Sequence, residues 1–205
     1  MLDLMKFGLL RALGMGKEPR LELPFWCDAM AKHHRRIARS ARGMSRERIV
    51  ALCQGVAAIE QRNLPGAIVE VGDGNGVIAA ALALLQCGSS CRTVHLFDPS
   101  FDLQALVLDL MATSYPWEKF VFVPGQVEAT LPDEAPRPIA LLHLGSVGAD
   151  AAAYALEHLF PRLVDGGVLL VDAVHADLIP AGATVLGDTG LLLVKHAQQR
   201  YAQAA

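Results

Sequence analysis

From residue 65 onward the chain alternates short apolar runs with segments of helical spacing, and that alternation constrains its fold more than any other feature. Apolar runs at 67–71, 93–97, 120–123, 139–144 and 167–171 have the length of strands. Between them, residues 77–85, 103–111 and 151–160 space their apolar positions as helices do. Two further short strands near 183–186 and 191–194 are separated only by residues 187–190, which predicts a hairpin. Strands apolar on both faces require helices on both sides of the sheet. The pattern predicts an α/β fold: an open, mostly parallel sheet of about seven strands with an antiparallel final strand, preceded by N-terminal helices.

The 205 residues, 53% hydrophobic and 19% charged, suffice for a full core and exclude a disordered chain. No run of about 20 apolar residues exists, so no membrane-spanning helix is expected. Cys27, Cys53, Cys87 and Cys91 are too few for a disulfide scaffold. They read as reduced thiols in a cytoplasmic protein.

Charge is uneven. Residues 1–48 carry +6 and residues 49–205 carry −9. Leu2, Met5, Leu9, Ala12 and Leu13 give the first segment an amphipathic helical face, suited to packing on a partner subunit. A membrane anchor fits less well, with Asp3 beside only two cations. Lys32, His33, His34, Arg35, Arg36, Arg39 and Arg42 form a basic stretch. It reads as a solvated face or as an entry surface for an anionic ligand. No aromatic residues interleave with its cations, so nucleic acid is not expected as a partner. Ser45 is placed to cap a helix whose apolar face is Ile49, Leu52, Cys53, Val56 and Ile59. The expected division is residues 1–63 as an N-terminal helical extension and 64–205 as a ligand-binding domain.

The motif that carries chemistry is Glu70-Val71-Gly72-Asp73-Gly74-Asn75-Gly76, between the first strand and the first helix of that domain. Glycines there permit a sharp turn and close approach of a ligand, and a helix N-terminus favours an anionic group. A nicotinamide dinucleotide calls for glycine at position 77, which is valine. The G-x-G-x-G spacing, with an acid two residues before the first glycine, resembles the first motif of Rossmann-like S-adenosylmethionine (SAM) methyltransferases. In that resemblance Glu70 lies near the methionine amino group, the loop receives the carboxylate, and Asp98, ending the second strand, bridges two ribose hydroxyls.

Four further segments, in order with the loop, extend the likeness over roughly residues 44–175: Met44 to Leu52 and Asn63 to Gly72, then Gly125-Gln126-Val127-Glu128-Ala129-Thr130-Leu131-Pro132, then Pro161-Arg162-Leu163-Val164-Asp165-Gly166-Gly167-Val168. Together they resemble the macrocin O-methyltransferase (TylF-type) family, which methylates natural-product hydroxyls in secondary metabolite biosynthesis. The resemblance implies SAM as cofactor, a small-molecule acceptor, a dimer, and cofactor contacts from Glu70, Gly72, Gly74, Asn75, Gly76, Asp98, Gln126 and Val127.

The chain departs from that family at its metal. The resemblance places acids at 145, 147, 172 and 173, and the chain has Gly145, Val147, Asp172 and Ala173. One carboxylate is a poor magnesium site, so no metal is expected. Residues 174–183 also leave no room for the family's extra helix before the final hairpin. His175 is then the candidate base, with Asp172 to orient it or to contact the cofactor amine, while His143 reads as a core or supporting residue. The expected function is metal-independent O- or N-methylation of a small molecule. The alternative is a SAM-binding protein that has lost methyl transfer and serves as a partner subunit or uses bound SAM in another reaction.

Overall fold

The computed structural model describes residues 44–89, 91–98, 103–179, 184–185 and 190–195. The amphipathic first segment and the basic stretch with His33 and His34 lie outside them. Helix α1 (Arg46–Gln61) starts at the cap read from the sequence: the Arg48 N–H donates to Ser45 Oγ at 3.3 Å. There follow β1 (Ala67–Val71), α2 (Asn75–Gln86), β2 (Val94–Asp98), α3 (Leu103–Met111), β3 (Phe120–Pro124), α4 (Val127–Glu134), β4 (Ile139–Leu144), α5 (Ala149–Leu159), β5 (Leu163–Asp172), β6 (Thr184–Val185) and β7 (Gly190–Val194).

The strands form one sheet in the order β3-β2-β1-β4-β5-β7-β6. The first five are mutually parallel, β7 runs antiparallel to β5, and β6 runs antiparallel to β7. Alternation along each strand sorts the core into two layers. Ile68, Leu141, Val168 and Leu170 pack under α1 and α2, with Leu106 and Leu110 of α3. Val69, Val71, Leu142, Leu144, Leu169 and Val171 pack against α4 and α5 on the other side. Residues 46–61, grouped by the sequence reading with the N-terminal extension, share this core. Gly55 lets α1 lie close to the sheet, because a Cβ there would meet Leu141 at 3.0 Å and Val168 at 3.3 Å.

Two elements differ from the sequence reading. Helix α4 has no counterpart in it, because Pro132 sits inside the helix. Proline cannot donate to the carbonyl four residues back. That carbonyl, Glu128 O, instead accepts the Tyr154 hydroxyl of α5 at 3.3 Å, so the break is satisfied across the helix pair. Strand β5 begins at Leu163 rather than 167, since Gly166-Gly167, a turn signal in sequence, is held inside the strand. Leu163 pairs with Ile139 and the register shifts before Val168 pairs with Leu141. Gly166, at φ +79°, donates to Lys195 O at 2.8 Å, and Lys195 N donates back to Gly167 O at 2.9 Å. The Lys195 ammonium closes the same corner: it is buried, donates to Phe160 O at 3.0 Å and to Leu163 O, and lies 5.2 Å from the Phe160 ring centroid.

A second buried polar knot ties α1 to the start of β2. The Arg92 guanidinium pairs with Glu60 and donates to Gly66 O and, at 2.9 Å, to Leu64 O. The Tyr115 hydroxyl donates to Arg92 O at 2.7 Å. Burial, and then the charge of Glu60, push the Tyr115 hydroxyl from 10.0 up to about 12. A folded-state pKa above the unfolded value stabilises the fold below pH 10, and that contribution disappears as pH rises towards 12. Two units correspond to roughly 2–3 kcal/mol. Urea denaturation at about pH 9 and about pH 11 checks this: the wild-type midpoint should fall more steeply than that of Tyr115→Phe. Equal slopes would remove Tyr115 from the alkaline transition.

Candidate cofactor and acceptor site

In the sheet order, β1 and β4 are the neighbours whose onward connections leave in opposite directions, and ligands of open α/β sheets bind in the crevice at the carboxyl ends of such a pair. The glycine loop lies there. Gly74, at φ +81°, is the N-cap of α2, a conformation that disfavours any side chain. The N-cap glycine has no side chain to cap that helix end, and carboxylates from the loop and from β1 serve instead. Asp73 folds back on the loop, accepting from Asn75 N at 3.3 Å and Asn75 Nδ2 at 2.7 Å. Gly145, at the end of β4, donates to Val71 O at 3.0 Å and backs the loop, with its Cα 3.2 Å from where a Gly72 Cβ would be.

Beneath the loop, strand alternation places polar groups on the α1/α2 face of three adjacent strands. Glu70 of β1 is 1% exposed, His143 of β4 4%, and Asp172 of β5 6%. In a layer otherwise apolar these groups need partners. Glu70 Oε1 accepts the Gly76 N–H at 3.1 Å, and Glu70 Oε2 is 3.7 Å from His143 Nδ1. On the far side of that ring, Arg48 Nη2 lies 3.5 Å from His143 Nε2. A guanidinium only donates, so this contact is a hydrogen bond only in the tautomer whose proton is on Nδ1, facing Glu70. The same Arg48 nitrogen forms an ion pair with Asp172. Burial raises the Asp172 pKa, and Arg48, His143 and His175 oppose the rise. The result is a charged row, Glu70–His143–Arg48–Asp172, running under the loop and across the switch point.

His175 stands next to this row, at a kink (φ −111°, ψ 17°) in the 3-10 segment Ala173–Leu178 that follows β5. It is 3% exposed, and neither ring nitrogen has a hydrogen-bond partner among the described residues. Glu70 Oε2 and His143 Nδ1 also lack one, and Asp172 Oδ1 has only the Arg48 ion pair. Only two other buried side-chain atoms among the described residues are unpartnered, His95 Nδ1 and Arg162 Nε. Buried polar groups are normally satisfied, so this concentration singles out the space beneath the loop as the candidate site.

The residues named from sequence fall as follows. Glu70, Gly72, Gly74, Asn75 and Gly76 form the loop and its support, and Glu70 holds the loop backbone. Asp98 ends β2, paired with Pro124 in the ladder. Gln126 is exposed at the N-cap of α4, and the Val127 side chain is in the core, leaving its backbone as the part free to meet a ligand. Asp172 and His175 are brought together with His143. Arg48 was missed as a site residue: in sequence it is one of several arginines in the first turn of a helix, and nothing local marks its reach to β5. Among the described residues no three His, Cys, Asp or Glu side chains are grouped to hold a metal ion. Nor is any described helix long and apolar enough to cross a membrane.

The fold is one shared with O-methyltransferases. No protein-family model matches the chain, and no curated protein matches its sequence. Among solved structures, the O-methyltransferase NovP superposes with a TM-score of 0.66 over 95% of this chain and 99% of its own, at 15% identity. CalS11, a TDP-rhamnose 3'-O-methyltransferase of calicheamicin biosynthesis, gives 0.59 over 94% of this chain and 93% of its own, at 16% identity. TomG of Streptomyces achromogenes, an O-methyltransferase solved in complex with SAM, gives 0.52 over 75% of this chain and 71% of its own, at 14% identity.

Proposed function

We propose that the chain is a SAM-dependent methyltransferase acting on a small molecule, through oxygen or nitrogen, without a catalytic metal. The observation that carries this reading is the cluster of unpartnered buried polar groups beneath a glycine loop at the switch point, on a fold shared with O-methyltransferases. When bound, SAM supplies a methyl group on a positively charged sulfur, so that alignment of an acceptor lone pair accounts for much of catalysis. The acidic groups Glu70, Asp73 and Asp172 suit a ligand carrying positive charge, and the loop backbone suits a carboxylate. In this reading Gly72, Gly74, Asn75 and Gly76 shape the loop, Asp98 takes the ribose, and Gln126 and the Val127 backbone line the base. Asp172 and His175 face the acceptor. Metal independence rests on the donor set. Gly145, Val147 and Ala173 bring no oxygen side chain, and Asp172 is already paired with Arg48.

Calorimetry with S-adenosylhomocysteine tests the assignment. Asp98→Ala should weaken binding by roughly 1.5–3 kcal/mol, the value of hydrogen bonds to a charged acceptor. Equal affinity in the two proteins would reject the role of Asp98. A chelator should leave wild-type affinity and any methyl transfer unchanged, and a loss of about tenfold restored by magnesium would overturn the metal-free reading. We further propose a homodimer in which residues 1–40 contact the partner and close the shortened acceptor pocket. Light scattering that finds a monomer at micromolar concentration would remove that role.

A further inference from the structure

Resting on the methyltransferase reading, we propose that the acceptor is an amine, bound as its ammonium between Asp172 and His175 and methylated on nitrogen. The first observation is charge. The charge of Glu70 acts on Asp73 and that of Asp73 on Asp172, and among the described residues Arg48 is the one lysine or arginine that acts on Asp73 and Asp172. Among the described residues, three carboxylates stand against one guanidinium there, an arrangement that favours a cationic ligand. The second is His175, almost fully buried, close enough to Asp172 to interact with its charge, and unpartnered at both ring nitrogens.

These two residues lie at the end of β5, on the opposite side of β1 and β4 from β2 and Asp98. The nucleoside end of the cofactor is assigned to the β2 side, which leaves Asp172 and His175 to the acceptor. Beyond the Arg48 pair, neither Asp172 Oδ1 nor either ring nitrogen of His175 has a hydrogen-bond partner among the described residues. An ammonium brings three donors and one positive charge, whereas a hydroxyl brings one donor and no charge. The chemistry agrees. A hydroxyl acceptor must lose a proton to become a strong nucleophile, and stabilising the resulting oxyanion calls for a cation. Among the described residues, the one guanidinium here is already engaged by Asp172. An ammonium loses one proton to His175 and becomes a neutral nucleophile. Its lone pair then forms the N–CH3 bond while the C–S bond breaks and its electron pair stays on sulfur. The products are a protonated methylamine and a neutral thioether, and His175 returns its proton to solvent.

The test uses the full chain saturated with S-adenosylhomocysteine and two probes of equal shape, benzylamine and benzyl alcohol, followed by ligand-detected NMR. Wild type should bind benzylamine at least about tenfold more tightly than benzyl alcohol. Asp172→Asn, which keeps an oxygen for Arg48, and His175→Phe should each reduce that preference to below about threefold, leaving alcohol binding within about twofold. Because the wild-type preference alone is decisive, a variant that fails to fold does not shield the proposal. Equal binding of the two probes, tighter binding of the alcohol, or no benzylamine binding up to about 10 mM overturns it. In those cases S-adenosylhomocysteine is still bound. A chain that does not bind S-adenosylhomocysteine overturns the methyltransferase reading as well, which is a separate result of the same experiment.

Discussion

Arg92→Met should lower the unfolding free energy by about 1–3 kcal/mol, the cost of leaving a half-buried carboxylate and two carbonyls without their donor. Each branch of the guanidinium is used: Nε on Glu60, Nη1 on Gly66 O, Nη2 on Leu64 O. The side chains of Arg92 and Glu60 are 11% and 19% exposed, so water replaces only part of what the substitution removes. Methionine fills the stem's volume and leaves a carboxylate and two carbonyls stranded at the turn that delivers the chain from α1 into β1. Lysine rescues little, since one ammonium cannot span three acceptors held in a planar fork. Urea denaturation reads the effect as a lower midpoint at unchanged slope. A loss below about 1 kcal/mol would mean that the knot contributes no more than a surface pair.

Gly76→Ala should abolish high-affinity cofactor binding, with an expected loss of about a hundredfold in S-adenosylhomocysteine affinity, or roughly 2.7 kcal/mol. The added Cβ would sit 2.5 Å from His143 Nδ1 and 2.6 Å from Glu70 Oε2. Neither can swing away, because Glu70 is tied to the Gly76 N–H and His143 is walled in by Arg48. The loop must therefore lift off its support, which carries an overpacking cost of about 1–3 kcal/mol in stability as well. Gly148→Ala is the control, since nothing lies within 4 Å of its added methyl group. Unchanged affinity in Gly76→Ala would show that the loop tolerates displacement and that its seat on Glu70 is unimportant.

The parts of this molecule that were legible in sequence are those written in local code. Strand β4, with six consecutive buried residues, announces itself as an apolar run. The glycine loop states its own turn, and Ser45 its own cap. Helix α4 does not, because its only buried side chains are Val127 and Leu131 and Pro132 contradicts it from within. The turn signal at Gly166-Gly167 hides the start of β5, since the partner that makes it a strand, Lys195, lies at the far end of the domain. The site divides in the same way. Glu70 was found by its spacing from the loop, yet its part in holding Gly76 is visible only in three dimensions. The Arg48–Asp172 pair joins the first described helix to the end of the fifth strand, and no window of sequence contains both.

The corner closed by Lys195 gives the fold a direction of mechanical weakness. A load that reaches the C-terminal end of β7 meets Lys195, whose ammonium acts as a latch on Phe160 O and Leu163 O. Once that latch and the Lys195 backbone bonds to Gly166 and Gly167 open, the rungs between β7 and β5 run from Val194–Val168 to Gly190–Asp172. Peeling of this kind needs less force than sliding the parallel strands past one another. The last rung is also the one beside the charged row. A protein tethered to a surface by its C-terminus would therefore lose the neighbourhood of Asp172 while β1, its glycine loop and Glu70 still stood, whereas a tether at α1 would pull directly on Arg48.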